Sequence, residues 1–317
     1  MKFVVVGSGG VGGFFGAKIV AGGHDVWFVA RGKHLAAMRT SGLHVHSTEG
    51  IMVVPPGKMT DRFADIGAAD VILFCVKSYD TESTAQQLAP ILTRDSIVIS
   101  LQNGITNEEN IQSIIPSGTV FGGVAYIYST ITAPGVITET GGPKKIVFGP
   151  MTSSPASSVR SSQILEVMES AGIKAEVAGD ITAALWKKFI FIAAVAGLTS
   201  MTRLTLGEIL AVNETRTLLT EALKEVDAVA RAMNVNIEPG HLDTVLETLT
   251  KFNNNTRSSL YYDLANGKPM EIEALSGTVI RYGERSGVAT PIHRTIYAAL
   301  LPYHRKHSQQ LLIDKKP

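Results

Sequence analysis

Gly7-Ser8-Gly9-Gly10-Val11-Gly12 stands directly after a short apolar run, Phe3–Val6, and opens a segment whose apolar and basic residues Phe15, Lys18 and Ile19 recur at helical spacing. A strand, a glycine-rich turn and a helix in that order leave few folds open. Gly7 permits a tight turn, Gly9 lets the backbone approach a pyrophosphate, and Gly12 lets the helix pack closely on the strand. The positive end of the helix then faces the phosphate charge. All six residues of the turn, Gly7, Ser8, Gly9, Gly10, Val11 and Gly12, are therefore candidate dinucleotide contacts.

The rest of the first half repeats the pattern. Short β-branched runs at Asp25–Ala30, Val71–Val76, Ser96–Leu101 and Val120–Tyr126 follow the first strand, with amphipathic stretches between the first four. Such alternation predicts βαβ units and a mostly parallel sheet of Rossmann type. Ile137–Thr140 and Ile146–Phe148, separated by Gly141, Gly142 and Pro143, read as an antiparallel hairpin at the sheet edge. Met151–Ser162, rich in serine, reads as a loop before a further helix. Beyond about residue 180 helical spacing takes over, as in Leu219, Leu223, Val226 and Ala230. The expected organisation is a Rossmann-type α/β domain over residues 1–178 and an all-helical domain over residues 179–317.

Charge and composition narrow the function classes. The 317 residues carry 29 basic against 28 acidic side chains, a net charge of +1, so no excess positive charge is available for nucleic acid or an acidic membrane. The longest apolar run, Phe189–Leu198, is about half of the ~20 residues a membrane span needs. A single cysteine, Cys75, fits a reducing compartment, the cytoplasm by default. The eight histidines show no metal spacing: His44 and His46 alternate on a strand and His304 with His307 lie in a basic stretch, in neither case with carboxylate company.

An NAD-binding turn usually has an acid about 20 residues beyond its last glycine, for the ribose hydroxyl. Arg31 occupies that place here, which predicts a 2′-phosphate partner and hence NADP, with Lys33 nearby. Lys77 and Asn103 follow the third and fourth strands, at carboxyl ends where open α/β sheets bind ligands. In Leu185-Trp186-Lys187-Lys188-Phe189, a lysine turned inward rather than to water would have its pKa lowered toward a range useful for proton transfer. Helix geometry alone leaves Lys187 and Lys188 equivalent. Ser258-Ser259 and Glu271-Ile272-Glu273 stand near helix starts, where serine and glutamate also serve as caps.

In that order, these features resemble the ketopantoate reductase family of NADP-dependent 2-dehydropantoate 2-reductases over essentially the whole chain. The matching residues are Gly7 to Gly12, Arg31, Lys77 in Cys-Val-Lys, Asn103 in Gln-Asn-Gly, Lys188 in Leu-Trp-Lys-Lys, Ser259 with Glu271 in Ser-Ser-Leu…Met-Glu-Ile-Glu, and Gly287-Val288-Ala289-Thr290-Pro291. The resemblance selects Lys188 as the catalytic acid. It implies NADPH held by the glycine turn, Arg31, Lys77 and Asn103, substrate held by Asn103, Ser259 and Glu271, and a role for Glu271 in poising Lys188.

The implied reaction is reduction of 2-dehydropantoate to pantoate, on the route to pantothenate. One departure stands out: four and eight residues after the catalytic lysine the family commonly has asparagines, and this chain has Ile192 and Ala196. The alternatives are a reductase of a different 2-oxo acid and an NADP-sensing protein without turnover. The partner is thus a small 2-oxo acid; oligomeric state stays open, although helical second domains often supply a homodimer interface.

Overall fold

The computed structural model describes residues 1–314. By its contacts the chain divides into two compact units, Met1–Gln102 with Thr106–Ala184, and Asn103–Ile105 with the chain from Leu185 onward.

The first unit is a ten-stranded mixed sheet. Its strands are β1 (Lys2–Val6), β2 (Asp25–Val29), β3 (Leu43–Ser47), β4 (Gly50–Val54), β5 (Met59–Thr60), β6 (Val71–Phe74), β7 (Ile97–Ser100), β8 (Thr119–Ala133), β9 (Val136–Pro150) and β10 (Lys174–Val177). They lie in the order β4-β3-β9-β8-β7-β6-β1-β2-β5, with β10 paired to β9. Helices α1 (Gly10–Ala21), α2 (Gly32–Ser41), α3 (Thr81–Ala85), α4 (Asn107–Ile114) and α5 (Pro155–Ser170) belong to the same unit. Alternate residues of β1 divide between two apolar cores, Phe3 and Val5 in one and Val4 and Val6 in the other. A strand buried on both faces needs the continuous apolar run seen at Phe3–Val6.

Two local expectations are corrected. The antiparallel hairpin is not closed at Gly141–Pro143: β8 and β9 are two 15-residue strands joined at Pro134-Gly135, with Ala133 paired to Val136. Gly141, Gly142 and Lys144 have positive φ, and the ladder shifts register beside them, so this stretch is a bulge inside β9. Nor is Met151–Ser162 a loop throughout. Ser154 caps α5 in a reciprocal pair with Ser157, Pro155 fills the first turn, and the serines after it are helical.

The second unit is helical: most of α6 (Ile181–Thr202), then α7 (Leu206–Ala211), α8 (Asn213–Ala232), α9 (His241–Leu249), α10 (Ser259–Ala265), a π-helical turn at Glu273–Gly277, α11 (Thr278–Ser286) and α12 (Pro291–Asp314). The helix α6 is longer than its uninterrupted apolar run suggested, and its 22 residues are by length and composition alone enough to cross a membrane. Of its most apolar window, 67% is buried within the protein, the mark of a core helix. Trp186 meets Phe189 and Tyr282 edge to face, and a Cβ on Gly197 would come within 2.9 Å of Ile296, so α6 and α12 cross closely there.

Glu225 of α8 accepts hydrogen bonds from the amides of Ile292 and His293, at 2.7 and 3.0 Å, in the first turn of α12. Those amides have no partner within their own helix. Glu225→Ala is expected to destabilise the protein by ~1–3 kcal/mol, the cost of one buried and one half-buried donor left unmet, and chemical denaturation will measure it. Glu225→Gln, which keeps an acceptor oxygen, is expected to lose less.

Candidate active site

In the first unit the glycine turn is built by close approach. Gly7 has φ +95°, and a Cβ there would lie 2.8 Å from the backbone of Cys75 and Val76; a Cβ on Gly12 would lie 2.3 Å from Gly7 O. Side chains at these positions are sterically excluded. Gly9 differs, since a Cβ on it would meet nothing within 4 Å, so its face is open to a ligand. The amides of Gly7 and Ser8 both donate to Val29 O at 3.1 Å, and the Ser8 hydroxyl joins them at 3.0 Å. Ser8 thus pins the turn to the end of β2. At the N-terminus of α1 no side chain caps the amides and the first turn holds no acid. An open glycine face at an uncapped 12-residue helix fits a pyrophosphate.

Two neighbours were not foreseen. The imidazole of His34 donates from Nε2 to Ser8 O at 2.9 Å and accepts the Gly135 amide at Nδ1, 3.0 Å away. It therefore holds the neutral tautomer, and burial lowers its pKa. Arg31, at the end of β2, is exposed and forms an ion pair with Asp80. Lys33 is exposed beside it.

Lys77 and Asn103 stand in matching places. Phe74 of β6 is in register with Ser100 of β7 on parallel neighbours, and each site residue is the third after its strand's registered end. Within the second unit, Lys188 Nζ donates to Asn103 Oδ1 at 3.0 Å. Burial pushes the Lys188 ammonium down to about 8, and the nearby negative charge of Glu271 opposes that shift. Glu271 is itself buried, two residues before the π-helical turn. Lys187, which helix geometry could not separate from Lys188, points elsewhere and forms an ion pair with Glu238 at 2.5 Å.

The structure thus unites Asn103, Lys188 and Glu271. It does not tie Ser259 to them by any hydrogen bond among the described residues: Ser259 is an exposed residue in the first turn of α10. Its neighbour Ser258 caps that helix, accepting from the Tyr261 amide, and shares a 2.9 Å hydrogen bond with Thr199 of α6. On the face of α6 that follows Lys188, Ile192 is half-buried and Ala196 is buried in the core. The Asn253–Thr256 segment is occupied in holding α7: the carbonyls of Thr256 and Asn254 accept from Leu206 and Gly207.

An open glycine turn in one unit and a buried lysine bonded to Asn103 in the other are the features expected of a dehydrogenase-class protein. The fold agrees: a solved PanE/ApbA family ketopantoate reductase from Ralstonia eutropha JMP134 is 28% identical and superposes with a TM-score of 0.88, covering 97% of this chain and 100% of its own. The family model "Ketopantoate reductase PanE/ApbA" matches residues 3–153, and its C-terminal companion matches residues 180–304. The chain belongs to the ketopantoate reductase family. Similar curated proteins include the uncharacterized oxidoreductase YkpB of Bacillus subtilis (strain 168), 32% identical over 96% of this chain and 99% of that one. A 2-dehydropantoate 2-reductase of Nostoc sp. (strain PCC 7120) is 28% identical over 99% and 98%.

Proposed function

We propose that this protein is an NADPH-dependent reductase of a 2-oxo acid, with 2-dehydropantoate, reduced to pantoate for pantothenate synthesis, as its first candidate substrate. The observation that carries this reading is the Lys188–Asn103 hydrogen bond with buried Glu271 acting on the same lysine. The residues that would hold the cofactor are Gly7, Ser8, Gly9, Gly10, Val11 and Gly12, with Arg31 for the 2′-phosphate and Lys77 and Asn103 at the strand ends. NADPH, when bound, supplies the hydride.

The protein's own part is to position the substrate and supply a proton. Lys188, as an ammonium, stabilises the oxygen that gains negative charge as the ketone is reduced, and gives it a proton to complete the alcohol. A group titrating at about 8 is roughly nine-tenths protonated at pH 7, yet gives up its proton more readily than an exposed lysine. Asn103 Oδ1 orients the ammonium, Glu271 favours its charged form, and Ser259 is assigned to the substrate carboxylate.

The pH dependence follows from the sign of that shift. The active ammonium is present below about pH 8 and is lost as pH rises through it, so kcat is expected to fall there. Glu271→Gln removes the charge that raises the Lys188 pKa, so the falling limb is expected to move to lower pH. A pH–rate profile of both proteins is the check, and a limb that stays put removes Glu271 from this role.

Ile192 and Ala196 favour a second reading, reduction of a different 2-oxo acid. A face without amide groups leaves a distal hydroxyl of 2-dehydropantoate unmet, costing ~1–3 kcal/mol. The test is NADPH oxidation against a panel of 2-oxo acids. Turnover of 2-dehydropantoate well above its deoxy analogue supports the first reading, and the reverse preference supports the second. Binding of NADPH with no turnover on the whole panel makes the chain a cofactor-sensing protein instead.

A further inference from the structure

Behind the loop that bears Asn103 lies a polar knot that the reaction does not use. Gln102 donates from Nε2 to Val76 O at 2.9 Å and to Thr81 Oγ1 at 2.8 Å. It thereby ties the segment after β7 to the segment after β6, which bears Lys77. Thr81 in turn bonds Asn107 Oδ1 at 3.5 Å. Asn107 and Glu108 form the first turn of α4, immediately after the Asn103–Ile105 stretch and Thr106. Asn103 is therefore flanked on both sides by buried polar residues, Gln102 before it and Asn107 with Glu108 after it.

This knot has unmet valences. Ser100 Oγ, Gln102 Oε1 and both carboxyl oxygens of Glu108 are buried with no hydrogen-bond partner, and Glu108 is only 2% exposed. Three of those four atoms only accept when Glu108 is ionised, whereas the neutral acid also donates. The first turn of a helix normally favours a carboxylate. Here burial outweighs that field and the weaker pull of Glu108's own amide and of the nearby Ser100 hydroxyl, neither of which completes a hydrogen bond to the carboxyl, and the group is held up to about 7. The elements packed against α4 offer no charge to offset it: on α3 Glu82 is exposed, and β8 has no charged residue. On α4 itself Glu109 is exposed.

We propose that Glu108, as a neutral acid, is a positioning residue that fixes the Gln102–Glu108 segment so that Asn103 Oδ1 meets Lys188, and that its ionisation loosens this segment. Glu108 touches neither substrate nor cofactor in this assignment; it acts through Asn103. The kinetic part rests on the reductase reading, and the structural part does not.

The test compares wild type, Glu108→Gln and Glu108→Ala between pH 6 and 9. Amide hydrogen exchange over residues 102–107, corrected for intrinsic rates, is expected to lose about fivefold or more in protection as wild type passes pH 7, whereas Glu108→Gln keeps it. With whichever 2-oxo acid is turned over best, wild-type kcat is expected to fall in two steps, near 7 and near 8, and Glu108→Gln only in the second. Glu108→Ala is expected to lose about tenfold or more in kcat at every pH, the scale of a small misplacement of a catalytic group, with NADPH affinity nearly unchanged. Should Glu108→Ala not fold, the Glu108→Gln comparison decides alone. Equal loss of protection in wild type and Glu108→Gln, or full kcat in a folded Glu108→Ala, overturns the proposal. Absence of turnover on the whole panel overturns the reductase reading instead, and exchange still decides the role of Glu108.

Discussion

Lys188→Ala is expected to lower kcat by about 10²–10⁴-fold, the usual weight of a positioned proton donor, and to leave NADPH affinity nearly intact. The change removes the ammonium that donates to Asn103 Oδ1 and leaves Glu271 buried without that positive neighbour. Steady-state kinetics and a fluorescence titration of NADPH separate the two effects. Lys187→Ala is the matched control. Its ion pair with Glu238 joins side chains that are 34% and 52% exposed, and exposed pairs contribute about 0–1 kcal/mol, so kcat is expected to stay near wild type. A larger loss from Lys187→Ala than from Lys188→Ala would reverse the assignment.

The second large effect is on cofactor choice. Arg31→Ala is expected to weaken NADPH by about 10- to 150-fold, the equivalent of a charge-assisted phosphate bond of ~1.5–3 kcal/mol, and to leave NADH affinity within about threefold. The ion pair with Asp80 gives this test a second arm. Asp80 holds the guanidinium in the absence of phosphate, so in Arg31→Ala its carboxylate is freed beside the end of β2. It can then accept from a ribose hydroxyl, as the acid of an NAD site does. Asp80→Ala in the Arg31→Ala background is accordingly expected to weaken NADH further. Equal losses of NADPH and NADH from Arg31→Ala alone would remove Arg31 from the 2′-phosphate.

The doubly buried strands were legible because they are short, continuous and β-branched, as at Phe3–Val6 and Val71–Phe74. The outer part of the β8–β9 hairpin was not, because Tyr128 to Ala133 and their partners mix polar and exposed residues and lack a clean alternation. Gly141-Gly142-Pro143 looks like a turn locally, and only pairing with β8 makes it a bulge. Serines near Ser154 read as loop for a similar reason, since the reciprocal cap with Ser157 is a three-dimensional fact about a pattern common in loops.

At the site, Gly7, Gly9 and Gly12 announce themselves by spacing. Lys188 and Asn103 are 85 residues apart, and no local pattern could pair them or prefer Lys188 to Lys187; the family resemblance supplied the choice. His34 and Asp80 escaped notice because their partners lie 26, 101 and 49 residues away. Glu108 reads as an ordinary acid in a first helical turn, and only burial distinguishes it from the exposed Glu109 beside it.

The three residues Asn103–Ile105 sit in the middle of the first unit's sequence, yet their contacts are with the helical unit. Ile105 packs against that unit's apolar core. A gene cut near residue 180 would therefore separate what the contacts join: the first fragment would keep the amide and lose its lysine, and the second would keep the lysine and lose its amide. Swapping the helical half between relatives meets the same obstacle, because the graft must bring a compatible tripeptide from the other half of the gene. The second unit is thus assembled from two separate stretches of the chain, even though the architecture is bipartite.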